Sequence, residues 1–205
     1  MVNEVRIYVE GGGDQRSGKA AVQEGFSKFL SPLKEIARER RIHWYVIACG
    51  SRNAAFDAFG IALRQHVAAF NVLLVDSESH VSQSPWRHLQ DRDHWPIQGI
   101  PDEHCHLMVQ VMGAWIIADL ETLRRFYGQG FNPNPIPGRE DVELIDKADL
   151  ELALGQATQN TQKGEYHKVR HGPKILALVD VAKVCGKARH CERMFTVLKN
   201  KLYEI

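Results

Sequence analysis

The stretch "EVRIYVEGGGDQRSGKAA", residues 4–21, joins a short apolar segment to a glycine-rich loop. Its β-branched and aromatic residues run directly into three glycines, which is typical of a buried strand that ends at a functional loop. From Gly13 the loop fits G-x-x-x-x-G-K, a phosphate-cradling pattern that here ends in Lys19. From Glu10 it presents a carboxylate, the glycines and a second carboxylate, Asp14. The loop therefore predicts either a phosphate site or a metal site.

The chain beyond this loop alternates helical and extended patterns. Apolar residues at helical spacing predict a helix, and Ser31-Pro32 opens a second helical piece. "IHWYVIAC", residues 42–49, and "FNVLLVDSE", residues 70–78, predict two further strands, separated by a helix with Ser51 as its N-cap. Near-continuous apolar strands that alternate with helices indicate a parallel sheet. The predicted fold class is α/β, a parallel sheet with helices on both faces followed by a helical C-terminal portion.

The second half is less regular. "HLMVQVMGAWIIAD", residues 106–119, predicts a further strand or the start of a buried helix, and Asp119 and Gly128 bound another helix. "GFNPNPIPG", residues 130–138, contains three prolines and cannot be regular structure. Three helices are predicted after it, over residues 147–159, 173–184 and 188–205. We expect an α/β domain over residues 1–128 and a mainly helical extension over 129–205, packed on it as one compact unit.

Composition excludes several classes of protein. A chain of 205 residues, 44% apolar and 25% charged, can bury one good core. A formal net charge of +1 argues against a protein that binds nucleic acid through an extensive, strongly basic surface, although a local basic patch is compatible with this charge. The four cysteines form no C-x-x-C pair and the first residues lack the apolar core of a signal peptide, which predicts a cytoplasmic protein. No apolar run approaches the roughly 20 residues that span a bilayer, so we expect no membrane association.

Carboxylates follow two of the predicted strands. Glu10 ends the first strand, and Asp76 and Glu78 end the third, where their i, i+2 spacing points both side chains to one side. Active residues in parallel sheets collect at the carboxyl ends of the strands, where the strand order reverses. If the first and third strands are neighbours, about 4.8 Å apart, these carboxylates converge and repel unless a cation neutralises them or one is protonated. Mg²⁺, or Mn²⁺ in its place, is the expected ion, with Glu10, Asp14, Asp76 and Glu78 as ligands.

The phosphate-loop interpretation competes with this metal site, because "LLVDSE", residues 73–78, also imitates the strand that holds Mg²⁺ in nucleotide hydrolases. Ala20 stands where that pattern requires Ser or Thr, and Asp14 adds a negative charge to a loop whose amides should surround anions. A third interpretation is a tight turn in which Glu10 and Asp14 only cap the next helix. The metal site is the favoured interpretation.

A basic segment supplies candidate phosphate contacts. "KGEYHKVRHGPK", residues 163–174, has the composition of a phosphate-binding segment and stands beside a predicted helix start at Pro173. Arg52 is a second candidate because it follows the second strand at the same edge of the sheet. A solvated basic loop is the alternative. We expect substrate binding by Arg52, Lys163, His167, Arg170 and Lys174, and catalytic roles beside the carboxylates for Lys168 and His171.

Two other patterns are weaker. His104 and His106 lie on one side of an extended segment, as zinc ligands would, but no second close pair accompanies them. Trp86, in the polar stretch "QSPWRHLQ", is a candidate for stacking on a nucleic-acid base.

The arrangement of a Glu in an E-G-G-G-D loop and D-x-E after the third strand resembles the Toprim domain of topoisomerases, primases and overcoming-lysogenization-defect nucleases. Toprim domains carry D-x-D, so Glu78 departs from that pattern while keeping the charge. Segments from "YVEGGGD" to "YHKVRHG", residues 8–172, also resemble a bacterial Toprim-like family catalogued as domain of unknown function 4276. That family would have an acidic residue before "AW", where this chain has Gly113.

The resemblance implies a Mg²⁺-dependent nuclease that cleaves DNA or RNA, as an effector of antiphage defence alongside an ATPase partner. A catalytically silent module of the same fold, which binds nucleic acid or a nucleotide, is the alternative function, and a nucleotide hydrolase of the phosphate-loop type is the third. The sequence leaves open whether the chain forms a homo-oligomer.

Overall fold

The computed structural model of the protein describes residues 3–96 and 99–204. In this part of the chain the strands are β1 Glu4–Glu10, β2 His43–Gly50, β3 Ala69–Asp76 and β4 Cys105–Met108. The helices are α1 Arg16–Phe29, α2 Ser31–Glu39, α3 Arg52–Gln65, α4 Pro85–Asp93, α5 Met112–Ile117, α6 Leu120–Tyr127, α7 Lys147–Thr158, α8 Lys168–Leu176, α9 Val181–Cys185 and α10 Arg189–Glu204. None of these helices is both long enough and apolar enough to span a membrane.

The described strands form one parallel sheet in the order β2-β1-β3-β4. From β1 the chain places β2 on one flank and then crosses to place β3 on the other, so the strand order reverses between β1 and β3. Val9 pairs with Ala48 of β2 and with Leu74 of β3, which brings the carboxyl ends of β1 and β3 side by side. The predicted adjacency of the first and third strands is confirmed, and the sheet edge beyond these ends is where such folds bind ligands.

Alternating residues of the central strands bury opposite faces of the sheet. Ile7 and Leu74 belong to a core formed with α1, α2 and the helices from α5 onward, whereas Tyr8 and Leu73 belong to a second core under α3 and α4. This period of two is what a strand covered on both sides requires. The predicted α/β class with helices on both faces and a helical C-terminal portion is therefore confirmed. The larger core also includes Leu198 and other residues from beyond position 128.

The structure corrects several predicted elements. Residues 173–184 are not one helix, because α8 ends at Leu176 and Asp180 begins α9 with a side-chain cap on the Ala182 amide at 2.9 Å. The predicted start at Pro173 is also wrong, since α8 begins at Lys168 and carries this proline inside the helix. The His167 side chain caps the first turn by accepting from the Arg170 amide at 3.3 Å. Helix α4 was not predicted, because its sequence is too polar to show an apolar stripe.

The segment predicted as a strand or a buried helix contains both, β4 and then α5. The cap predicted for the next helix is present, because Asp119 Oδ1 accepts from the Thr122 amide at 3.3 Å. Asp119 also accepts from the Asp180 amide at 3.1 Å and from Lys183 Nζ at 2.9 Å, so it links α6 to α9. Burial opposes its ionisation, but the hydrogen bonds of Thr122, Lys183 and these amides outweigh burial and lower its pKa to about 2.

We expect Asp119→Ala to lower the free energy of unfolding by roughly 2 kcal/mol, because a helix cap and further hydrogen bonds are lost from a buried site. Asp119→Asn, which can still cap, should lose less. Because the folded-state pKa lies below the ordinary value of 3.8, the stabilisation by the carboxylate is present above that value and lost as the pH falls towards about 2. Urea denaturation at pH 7 and pH 3 measures both effects. Equal stability of the Ala variant and wild type would contradict this role.

Candidate functional site

Three carboxylates meet at the switch point of the sheet. Among residues 3–96 and 99–204, Glu10, Asp76 and Glu78 form the group whose ligand atoms all lie within 4.8 Å of one another. Glu10 ends β1, Asp76 ends β3 and Glu78 follows in the next turn. Oxygen ligands at this spacing are the donor set that hard divalent cations prefer, so these residues could hold a metal ion.

Asp76 is the most buried member of the group, with 2% of the residue exposed. Its Oδ1 accepts from the Met112 backbone N–H at 2.8 Å, and its Oδ2 accepts from Lys168 Nζ at 2.7 Å. Burial raises the pKa of Asp76, although Lys168 and the Met112 amide favour the charged form. Burial also opposes the charge on Lys168, but Asp76 outweighs it and the Lys168 pKa is raised. The beginnings of α5 and α8 therefore hold this carboxylate in place.

Glu10 is held by Arg52, which lies at the beginning of α3. Arg52 Nη1 donates to Glu10 Oε2 at 3.2 Å and also to the Asp76 carbonyl, while its Nε and Nη2 bind Asp93 at 2.9 and 2.7 Å. The Arg52 side chain is only 13% exposed, and its guanidinium lies 5.3 Å from the centre of the Trp95 ring. Burial and then the charge of Asp76 raise the pKa of Glu10 against the opposing effect of Arg52. The hydrogen-bonding capacity of Arg52 is used inside the protein, which makes it a positioning residue for Glu10.

Glu78 reaches the group by a turn and not by strand geometry. β3 ends at Asp76, and Glu78 has a φ of +64°, a left-handed conformation that is uncommon for residues other than glycine. Its amide donates to the Gln110 carbonyl at 2.7 Å, which fixes the turn against the segment after β4. Lys147 Nζ binds Glu78 Oε2 at 2.5 Å. Burial opposes the ionisation of Glu78, but this hydrogen bond and charge outweigh it, so its pKa is lowered.

Each carboxylate of the group has a basic partner. The pairs are Glu10 with Arg52, Asp76 with Lys168 and Glu78 with Lys147. The sequence led us to expect that a divalent ion or a shared proton would be needed to relieve repulsion, and the structure shows three ion pairs that reduce it. A metal ion would therefore enter a site that is already balanced in charge, in competition with these partners.

The glycine loop is folded against the helix that follows it. Gly11 forms an antiparallel bridge with Gly50 through backbone hydrogen bonds of 2.8 and 3.1 Å. Gly12 has a φ of +90°, and a Cβ on Gly18 would lie 2.0 Å from the Gly12 carbonyl oxygen, so backbone fills the space beside the first turn of α1. Only glycine permits this approach. The glycines close the turn beside the carboxylates, which does not favour a phosphate cradle.

Asp14 does not join the carboxylates. It is exposed in the loop and lies outside the group formed by the other three acids. The N-cap of α1 is Gln15, and within the described residues its side chain makes no capping hydrogen bond. In the described residues, Asp14 and Glu10 therefore do not cap α1, in contrast to the third interpretation of the loop.

The basic segment divides into several environments. His167, Arg170 and Lys174 line a shallow groove of about 550 Å³ between α8 and the glycine loop. Lys163 instead lies over the ring of Phe126, 5.3 Å from its centre. Lys168 contacts Asp76, and these two residues line a cavity of about 240 Å³ together with Glu10. The structure therefore brings Lys168 to the carboxylates and places His167, Arg170 and Lys174 in the neighbouring groove.

His171 is buried, with 5% of the residue exposed. Its Nδ1 bonds the Tyr127 hydroxyl at 3.0 Å, and its Nε2 accepts from Arg170 Nε at 3.0 Å. Burial lowers the pKa of His171, with the charge of Arg170 as the next cause. Both ring nitrogens are engaged away from the carboxylates, so the geometry gives His171 a role in positioning α8 against α6.

The weaker candidates are buried or partly buried. Trp86 is 6% exposed, and its Nε1 donates to the Pro101 carbonyl at 3.0 Å, so its ring is part of the core under α3 and α4. His104 Nδ1 bonds the Asn71 carbonyl at 2.6 Å, and His106 Nδ1 bonds Arg193 at 3.1 Å. Burial and then Arg193 lower the pKa of His106 to about 3. These contacts engage the two histidines separately and do not form a zinc site.

Sequence reasoning missed the residues that fix the carboxylates. Lys147, Asp93 and the Met112 amide each contact a member of the group or its Arg52 partner. Lys147 is 69 residues from Glu78, and no local pattern connects the two. Only the packing of α7 against α5 and the turn after β3 brings them together.

A family model matches this chain. The family is described as "Domain of unknown function (DUF4276)", and the match covers residues 9–199. No curated protein matches the chain. No solved structure matches it either. The match includes the glycine loop, all three carboxylates and both lysines that pair with them.

We expect Arg52→Met to destabilise the protein by roughly 3 kcal/mol, because it leaves Glu10 and Asp93 as partly buried carboxylates without their partner. Arg64→Met is the matched control: it lies on the same helix, is exposed, and should change stability by less than about 0.5 kcal/mol. Thermal and urea unfolding measure both variants. If the two variants lose equal stability, Arg52 does not hold Glu10 and Asp93 in the way that its hydrogen bonds indicate.

Proposed function

The chain belongs to the family described as a domain of unknown function (DUF4276), and we propose that it is a divalent-metal-dependent nuclease that hydrolyses phosphodiester bonds of nucleic acid. The observation that carries this proposal is the convergence of Glu10, Asp76 and Glu78 at the switch point of a parallel sheet. The E-G-G-G-D loop and the D-x-E turn that resemble Toprim domains supply these same three carboxylates. Mg²⁺ or Mn²⁺ is the proposed ion.

The three carboxylates are the proposed ligands. A bound divalent ion would polarise the scissile phosphate, lower the pKa of an attacking water and neutralise the leaving oxygen. The donor set fits such an ion because carboxylate oxygens are its preferred ligands and Glu10 and Asp76 line a cavity of about 240 Å³.

The chain's own residues have three tasks in this proposal. Arg52 and the Met112 amide hold Glu10 and Asp76 in fixed orientations, so that little reorganisation is needed when substrate arrives. Lys168, whose side chain is 44% exposed, places a positive charge where a phosphoryl oxygen beside Asp76 would lie. Lys147 does the same beside Glu78.

The groove between α8 and the glycine loop provides a path for the rest of the substrate. His167, Arg170 and Lys174 face it. The groove shares Gly12, Gly13 and Val169 with the adjoining cavity, which Lys168 and the carboxylates Glu10 and Asp76 line. Contacts of this kind neutralise successive phosphates without reading sequence, so they suit DNA or RNA equally. We include an ATPase partner in antiphage defence in the proposal because the Toprim resemblance implies it.

A second candidate function is a catalytically silent module that binds nucleic acid or a nucleotide. The observation that favours it is the ion pairing of all three carboxylates, which leaves the group stable without a metal. The phosphate-loop hydrolase ranks third, because the backbone contact of Gly12 with Gly18 and the exposed Asp14 oppose an anion in the loop.

A titration with Mn²⁺ separates these functions. We expect saturating Mn²⁺ to raise the melting temperature of the wild type, since an ion at 100 times its dissociation constant stabilises the native state by about 2.7 kcal/mol. Glu10→Gln should lose this shift, because it removes a charged ligand. Lys19→Ala should keep it. A wild type that Mn²⁺ does not stabilise supports the silent module, and ATP binding that only Lys19→Ala abolishes supports the hydrolase.

Cleavage assays test the reaction itself. We expect the protein, alone or with an ATPase partner, to cut DNA or RNA in Mg²⁺ or Mn²⁺, and Asp76→Asn to lower the rate by about 100-fold or more through the loss of a charged ligand. Asp57→Asn, an exposed carboxylate on α3, is the control and should cleave normally. If no nucleic acid in the panel is cut in a way that Asp76→Asn abolishes, the nuclease proposal fails.

A further inference from the structure

A second cavity adjoins the carboxylate group. It has a volume of about 350 Å³ and lies between α5, α7 and the segment that leads into α8. Lys168 lines both this cavity and the one that holds Glu10 and Asp76, so a molecule in the second cavity lies next to the proposed reaction centre. Its volume is within the range of pockets that bind small ligands.

The walls of this cavity combine an apolar part with polar side chains. Val111, Leu150 and Leu154 contribute aliphatic surface, and Tyr166 contributes an aromatic residue. Gly113 contributes no side chain: a Cβ at this position would lie 3.2 Å from Leu150 Cδ2. A larger residue at position 113 would therefore narrow the cavity.

Two carboxylates on the cavity wall lack partners. Glu151 and Glu165 both line the cavity and are exposed to solvent. Within residues 3–96 and 99–204, neither side chain takes part in an ion pair or a hydrogen bond of the kind that occupies Glu78. An ionised carboxylate only accepts hydrogen bonds, so the rim favours a ligand that presents N–H donors. Lys168, which also lines the cavity, favours an anionic group on the same ligand.

We propose that this cavity binds the guanine base of a nucleotide whose phosphate lies beside Lys168 and the carboxylate group. This inference rests on the proposed nuclease function, and it names the base that the site prefers. A nucleobase is planar and has apolar faces, which match the part of the wall formed by Val111, Leu150 and Leu154. Guanine presents two adjacent N–H donors on its pairing edge, and one carboxylate can accept both. Adenine, cytosine and uracil place an acceptor beside each donor on that edge, so they offer a carboxylate one hydrogen bond and a repulsive contact.

Isothermal titration calorimetry with GMP, AMP, CMP and UMP tests the inference, with EDTA present so that metal binding plays no part. We expect GMP to bind wild type about 10-fold more tightly than the other three, since a bidentate pair of hydrogen bonds discriminates between bases by about this factor or more. In the double variant Glu151→Gln/Glu165→Gln this preference should disappear. AMP, CMP and UMP should then bind as well or better, because two negative charges near the phosphate are gone, whereas GMP loses its bidentate pair and should bind no more tightly than they do.

Two further variants complete the design. Gly113→Val, which fills the cavity without changing charge, should weaken all four nucleotides alike. Glu140→Gln, a remote exposed carboxylate, should leave affinity and preference as in wild type. If wild type binds none of the nucleotides, shows no preference for GMP, or keeps its preference in the double variant, the inference is wrong. Stabilisation by Mn²⁺ is measured on the same proteins: if it persists while the GMP preference fails, only this inference falls, and the proposed metal site stands.

Discussion

The buried carboxylate of Asp76 is the constraint on which the rest of the site depends. A charge at the end of a central strand, almost fully removed from water, is costly unless it is paired and hydrogen-bonded. The Met112 amide and Lys168 meet that requirement, and each comes from a different helix. The positions of α5 and α8 relative to the sheet are therefore coupled to one side chain, so that the groups that stabilise the charge also enclose the site.

The three basic partners differ in how freely they can move. Arg52 is 13% exposed and is held by Asp93 as well as Glu10, so it acts as part of the framework. Lys168 and Lys147 are 44% and 35% exposed and end in flexible chains. An ion that enters the group must share or replace the contacts of these two lysines. The carboxylate group is balanced in charge without a metal. It could still accept a metal ion, because two of its three basic partners can move aside.

The sequence predicted the parts of the site that follow from strand geometry. β1 and β3 are short apolar runs that end in acids, and the order of crossovers implies that their ends meet, so Glu10 and Asp76 could be placed from sequence. Glu78 was placed for the wrong reason, because β3 has already ended and a left-handed turn brings it in. The start of α8 at Lys168 was not predicted, because proline is typical of the first turn of a helix and Pro173 therefore indicated a later start than the cap at His167. Side-chain partners far along the chain have no local signature at all.

The C-terminal portion of the chain completes the site. Lys147 and Lys168 both lie beyond the proline-rich loop, whereas the three carboxylates and Arg52 precede it. The residues before the loop, taken alone, would bring three carboxylates together with Arg52 as their one direct basic partner. Like charges at such distances repel strongly when they are partly buried. The helices that follow the loop thus reduce the repulsion between the carboxylates at the edge of the sheet. One of these helices, α7, also lines the cavity beside the carboxylates. In this protein the strand ends determine where the carboxylates meet, and the later helices determine the charge around them and the shape of the adjoining cavity.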